Sequence, residues 1–250
     1  MDRKLRKSFK HTLLSRYRLI EERGVYHVMQ RAPGCESLFN DDIDRKHFIR
    51  LLRETAEKFE FQVYAFVLMD NHFHLQIRLS KGNLSLLMKN LAERYAWYFN
   101  KKYNRMGHVF QGRFRAGLCD DERYILATSL YIHLNPYRAG LQEELGTYRW
   151  STERKYTSGV EKDSFVKPDF ILQTIDVNSI KAREAYAQTL QSYLRTIKGD
   201  TSERWGRILS KDRELKRGQV LEQIRAGMSY VQICNKYGIS RTTLYRLIRK

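Results

Sequence analysis

The sequence predicts an α+β chain with a small all-α domain behind it. Three observations carry this. Segments of period 2 and period 3.6 alternate from Gly24 to Leu134 in the order β-α-β-β-α-β-α. A two-residue turn, Asp70-Asn71, joins two runs rich in β-branched and aromatic residues. After Trp150 the chain turns polar and then strongly basic and helical.

The first strand is Gly24–Arg31, read from its β-branched and aromatic content, and Pro33-Gly34 marks the loop after it. From Asp44 to Phe59, Phe48, Ile49, Leu51, Leu52, Ala56 and Phe59 fall on one helical face. Phe61–Met69 and His72–Leu79 form a hairpin. In its second arm His72, His74, Gln76 and Arg78 point one way and Phe73, Leu75, Ile77 and Leu79 the other. Leu84–Phe99 is helical, with Leu84, Leu87, Leu91, Tyr95 and Tyr98 as its stripe. Phe110–Leu118 reads as a strand. Asp120-Asp121-Glu122 opens a helix running to about Leu134, because acidic groups suit a helix N-terminus and the residue before Pro136 avoids helical geometry. Two βαβ-type halves in this order give a ferredoxin-like antiparallel sheet with two helices on one face. The other face is left for function or for a further helix.

Lys and Arg number 46 against 28 Asp and Glu, a formal charge of +18. Such a surplus favours polyanions, either nucleic acid or an anionic membrane surface, and exceeds what solubility needs. No apolar run reaches the roughly 18 residues of a membrane span. The basic N-terminus is followed by no signal-peptide apolar core. Cys35, Cys119 and Cys234 are odd in number and far apart, which predicts reduced thiols in a cytoplasmic protein.

Two constellations carry chemistry. In His72-Phe73-His74 the imidazoles are two apart on a strand, so both rings can reach one ion. The pair alone also fits two hydrogen-bonded surface histidines. A cupin would need an all-β chain, and a zinc peptidase a helical H-E-x-x-H, neither of which the sequence offers. The second is Tyr131-Ile132-His133-Leu134-Asn135-Pro136. Tyr131 and Asn135 are four apart on a helix and share an edge with Tyr124 and Thr128. A phenol and a carboxamide there suit a nucleophile and a metal ligand. Taken locally, a core tyrosine and an Asn that caps the helix end is the simpler reading. His108 and His133 are left out of both sets, His133 because it projects about 200° from the Tyr131 direction.

Together, Val67–Leu75, Arg94–Asn100, Gly107–Phe114, Asp120–Tyr124 and Tyr131–Pro136 resemble, in order and spacing, the single-tyrosine HUH transposases of insertion-sequence type. The likeness is greatest to the REP-associated branch. It covers about half the chain, from Val25 to about Trp150, with Asp70 where the family pattern has proline. The resemblance implies that His72 and His74 bind a divalent cation, Mg²⁺ or Mn²⁺, with Asn135 as a further ligand. It implies that Tyr131 attacks single-stranded or hairpin DNA and keeps the 5′ phosphate as a phosphotyrosine, with Tyr124 the second candidate nucleophile. Arg113 and Arg115, alternating with Phe114, suit backbone phosphates, and the aromatic ring suits unpaired bases; a solvated edge strand with a buried Phe114 fits the same residues equally well.

At the C-terminal end, Val220–Ile224, Ser229–Tyr237 and Arg241–Ile248 read as three helices. Gly238-Ile239-Ser240 is the last turn, and Ser240 a natural N-cap. The pattern resembles the helix-turn-helix of invertases and resolvases. This places Arg241, Thr242, Thr243 and Tyr245 in a major groove of duplex DNA; a small helical bundle for protein contact is the alternative. The expected organisation is a basic arm over 1–23, a catalytic domain over 24–150, a linker and helical region over 151–200 (polar to 170), and the helix-turn-helix over 201–250. The rival functions are a non-catalytic DNA-binding regulator that has kept the fold, and an RNA-binding sheet, for which an aromatic RNP signature is lacking. Monomer and homodimer both stay open, and the expected location is the cytoplasm, in association with the nucleoid.

Overall fold

The computed structural model describes residues 23–34, 36–80, 83–159 and 165–200, with 222–224, 226 and 228. The chain divides into two compact units, residues 1–192 and 193–250. The first contains a four-stranded sheet of β1 (Val25–Arg31), β2 (Gln62–Met69), β3 (His72–Arg78) and β4 (Arg115–Cys119), in the order β2-β3-β1-β4. Every neighbouring pair is antiparallel. With α1 (Asp42–Lys58) after β1 and α2 (Leu84–Lys102) after β3, this is the α+β architecture predicted above.

The elements form for local reasons. Asp41 caps α1 by accepting the Asp44 N–H at 2.9 Å, while the Asp44 carboxylate accepts the N–H groups of Asn40 and Asp41. Asn83 caps α2 through the Leu86 N–H at 3.0 Å. The apolar stripes of both helices meet Tyr26, Val28, Phe73, Leu75 and Ile77 in one core. Burying each such Leu, Ile or Phe contributes about 2 kcal/mol. Tyr98 departs from its predicted core place. It is half-buried, with its hydroxyl donating to Asp44 at 3.0 Å, and Phe99 fills the core instead.

The opposite sheet face is covered by α3 (Glu122–His133), followed by the one-turn α4 (Asn135–Arg138). Short helices α5 (Glu153–Thr157) and α6 (Asp169–Leu172) and the long α7 (Ser179–Asp200) complete the described chain. Tyr186 of α7 is buried and its hydroxyl donates to Ser129 of α3 at 3.0 Å.

Two expectations need correction. The fourth strand begins at Arg115 rather than Phe110. Before it the chain is irregular: the Gln111 N–H donates to the Arg31 carbonyl, Gly112 takes φ 132°, and the Gln30 amide holds the Gly112 carbonyl at 2.9 Å. Only Arg115 of the predicted Arg113–Phe114–Arg115 alternation therefore lies on the strand. The stretch 151–170, read as a linker, is instead tied to β2 where it is described. Ser151 bridges Val67, the Thr152 N–H donates to Phe66 O, and the Lys167 N–H donates to Val63 O at 2.8 Å. β2 is an edge strand whose outer backbone groups need partners, and polar side chains do not stop a backbone from supplying them.

Candidate active site

The pleat of β3 sends Phe73, Leu75 and Ile77 into the core and leaves His72, His74 and Gln76 on the face under α3. Gln76 anchors that helix, its amide donating to the Ile125 carbonyl at 2.8 Å. Asp121 caps α3 by accepting the Tyr124 N–H. Two turns further on, the helix delivers Tyr131 to the histidines. The Tyr131 ring meets His74 edge-on, centroids 5.6 Å apart, and His27 of β1 likewise at 5.7 Å. The His72 and His74 rings are 5.1 Å apart. His27 Nε2 lies 2.9 Å from His74 Nδ1, with the two rings nearly parallel.

These imidazoles are poised neutral. Burial holds His74 well below its ordinary value, and the neighbouring His27 and His72 add to this. Burial also lowers His72, with a smaller push from Arg31, and holds His27 at about 4. A neutral ring is the form that ligates a metal. The Nδ1 of His72 faces Asn71 Oδ1 at 2.7 Å. An amide oxygen only accepts, so the ring proton sits on Nδ1 and Nε2 keeps its lone pair.

Asn135 donates its amide to the Tyr131 carbonyl at 2.8 Å, capping the end of α3. This is the local role anticipated from sequence. It leaves Oδ1 as the end of the side chain that a cation would meet. Tyr124 stands seven residues before Tyr131, about 10 Å of helix rise away. It lies towards Cys119 and Thr128, where burial raises its hydroxyl to about 12. Among the four residues first singled out, the structure thus brings His72, His74 and Tyr131 together and places Asn135 one helical turn after Tyr131.

Residues 22–135 match the family described as Transposase IS200 like. This segment is therefore similar to the IS200-like transposases. Residues 216–250 match a helix-turn-helix domain family. Among solved structures the chain is similar to a REP-associated tyrosine transposase bound to a REP hairpin. The two are 17% identical, and the likeness covers 59% of this chain and 88% of that one, with a TM-score of 0.50. That likeness is one of fold. A comparison with curated proteins gave no match.

No cluster of three or more His, Cys, Asp or Glu that could hold a metal occurs among the described residues. A cation held by His72 and His74 would meet two neutral imidazoles, with the Asn135 carboxamide oxygen as the further donor that the resemblance implies. Such a mixed N/O set fits a small divalent cation.

Two residues of this face escaped the sequence reading. His27 was seen only as part of a strand, and Arg31 not at all as a site residue. The register explains both. Arg31 pairs with His72, Met29 with His74 and His27 with Gln76, so all three project onto the face under α3. The clue in the sequence was the parity of His27 and Arg31, four apart on one strand face; the pairing itself is non-local. Arg115 pairs with Met29 on the other side. Beside it a pocket of about 210 Å³ is lined by Met29, Gln30, Arg31, Gly112, Arg113 and Arg115 among others. His133, set aside from sequence, is buried, with Nδ1 2.7 Å from the Tyr186 hydroxyl and Nε2 2.9 Å from Thr152 Oγ1. His108 is exposed. Arg241, Thr242, Thr243 and Tyr245 lie outside the described residues. No described helix is long and apolar enough to cross a membrane.

Proposed function

We propose that this domain cuts and rejoins single-stranded DNA through Tyr131. The observation that carries the reading is the edge contact of Tyr131 with His74 and His27, beside His72. The Tyr131 hydroxyl oxygen attacks the scissile phosphorus, and its proton passes to solvent or a neighbouring base. The P–O3′ bond breaks, the 3′ oxygen leaves and takes a proton, and the 5′ phosphate stays on the tyrosine. The reverse attack by a 3′ hydroxyl restores a phosphodiester without ATP, since the bond energy is kept in the phosphotyrosine.

His72, His74 and Asn135 would hold a divalent cation, Mg²⁺ or Mn²⁺, which supplies charge neutralisation at the phosphate oxygens when bound. Arg31, Arg113 and Arg115 receive the flanking backbone phosphates, which set affinity and register. Hairpin-forming repeats are the proposed substrate, because the similar solved transposase is described as bound to a REP hairpin. The C-terminal helix-turn-helix contacts duplex DNA through Arg241, Thr242, Thr243 and Tyr245, and a cytoplasmic location beside the nucleoid goes with this reading.

The test uses a hairpin with a single-stranded flank, labelled in turn on either side of the cut, with Mg²⁺ or Mn²⁺. The label on the 5′-phosphate side is expected to migrate with the protein after denaturation. Transfer of the opposite label, or no covalent species with any metal and any hairpin, contradicts the proposal; the latter result favours a regulator that has kept the fold.

A further inference from the structure

We propose that His27 is a positioning residue that sets the tautomer of His74, and so decides whether His74 can hold a cation. The inference rests on the metal reading above. Its basis is the direct contact of His27 Nε2 with His74 Nδ1 at 2.9 Å, between rings tilted by only 22°.

Two neutral imidazoles in such a contact share one hydrogen, and there are two ways to place it. In one, His27 Nε2–H donates to His74 Nδ1. The single ring proton of His74 then sits on Nε2, and the ring has no lone pair left for a ligand. In the other, His74 Nδ1–H donates to the His27 Nε2 lone pair, and His74 Nε2 is free to bind. Only the second arrangement makes His74 the ligand that its strand position implies. A ligating histidine ordinarily donates its other ring N–H to an acceptor that fixes ring and tautomer together. Elsewhere that acceptor is a carboxylate or carbonyl; here it is a second imidazole. His72 is served in the same way by the Asn71 amide oxygen, so both members of the pair have a dedicated Nδ1 partner.

The fold explains why His27 can do this. Met29 pairs with His74 and His27 with Gln76, so His27 sits diagonally across the β1–β3 ladder from His74, on the same face. Diagonal neighbours lie roughly 7–8 Å apart at the backbone, within reach of two rings that lean together. Tyr131 closes over both rings and limits their rotation.

The experiment uses the full chain with ¹⁵N-labelled histidine. In the metal-free protein, imidazole shifts are expected to put the His74 proton on Nδ1, with Nε2 unprotonated. Mn²⁺ affinity is then followed by electron paramagnetic resonance. His27→Phe keeps a ring but removes the acceptor, and should weaken Mn²⁺ binding by about 10–100-fold. His27→Gln offers an amide oxygen in place of the ring nitrogen and should recover most of that loss. A merely structural role would move melting temperature in both variants without moving the His74 tautomer. A His74 proton found on Nε2 in the unmodified, Mn²⁺-binding protein overturns this inference alone, as does Mn²⁺ affinity in a folded His27→Phe within twofold of the unmodified chain. No Mn²⁺ binding by the unmodified chain overturns the metal reading and this inference together. The tautomer measurement needs no variant, so a poorly folding His27→Phe does not block it.

Discussion

His72 and His74 face the same way because one residue separates them on a pleated strand, and Phe73 between them anchors the strand in the core. This much was legible in the sequence, since alternation is a local property. The Tyr131–Asn135 pairing was legible as helical spacing, although its local reading as a cap is also what Asn135 does towards the Tyr131 carbonyl. His27 and Arg31 were not legible, because their place depends on a register set by strands more than 40 residues apart in sequence. At this scale His72→Ala and His74→Ala should each abolish cleavage while leaving single-stranded DNA affinity within about threefold, since phosphate contacts dominate binding. Cleavage assays and fluorescence anisotropy on the same preparations check this; a double variant that still cuts would sink the metal assignment. Arg31→Ala should instead weaken binding and reduce the slope of log affinity against log salt by about one phosphate's worth. An unchanged salt slope would remove Arg31 from the DNA path.

The helix α3 is held to the sheet at a polar point as well as by packing. Gln76 is fully buried, and its amide serves the Ile125 carbonyl within α3. Gln76→Ala leaves that arrangement open and should cost about 1–3 kcal/mol, the usual range for a buried group losing its partner. Because α3 carries Tyr131, cleavage should fall more than DNA affinity does. Denaturant melts alongside single-turnover cleavage measure both effects, and equal losses in the two functions would argue against α3 as the element that positions the tyrosine. The helices and the β2–β3 hairpin were readable from period and turn chemistry. The irregular run before β4 was not, because it is held by Gln30 reaching across to Gly112. Nor was the attachment of Trp150, Ser151, Thr152 and Lys167 to β2, because the pairing is non-local.

For the molecule as a whole, charge and buried histidine set how it responds to solution conditions. His133 joins α3 to Thr152 and to Tyr186 of α7, and burial holds it at about 3. The unfolded chain takes up this proton near pH 6.5, whereas the folded chain resists it down to about pH 3. Stability is therefore lost as pH falls through that window, by about 2 kcal/mol at pH 5. Thermal melts at pH 7 and pH 5 should show the loss, and His133→Gln should remove the share due to His133 while the buried His27 and His74 keep theirs; an equally steep profile in that variant would assign it to other groups. The net charge of +18 favours a polyanionic partner without naming it. The C-terminal helix pattern was readable from spacing, and residues 216–250 match a helix-turn-helix family. Truncation after about residue 200 should weaken binding to hairpins with a duplex stem and flatten its salt dependence, while a short single strand is still cut at high protein concentration. Unaltered duplex affinity would give the C-terminal unit another task.

The central claim is that Tyr131 is the nucleophile, and peptide mapping of a trapped protein–DNA adduct tests it most directly. After nuclease trimming and proteolysis, the nucleotide-bearing peptide should carry its modification on Tyr131, and Tyr131→Phe should yield no adduct while binding hairpin DNA as before. A modification on Tyr124, or an undiminished adduct in Tyr131→Phe, would contradict the account.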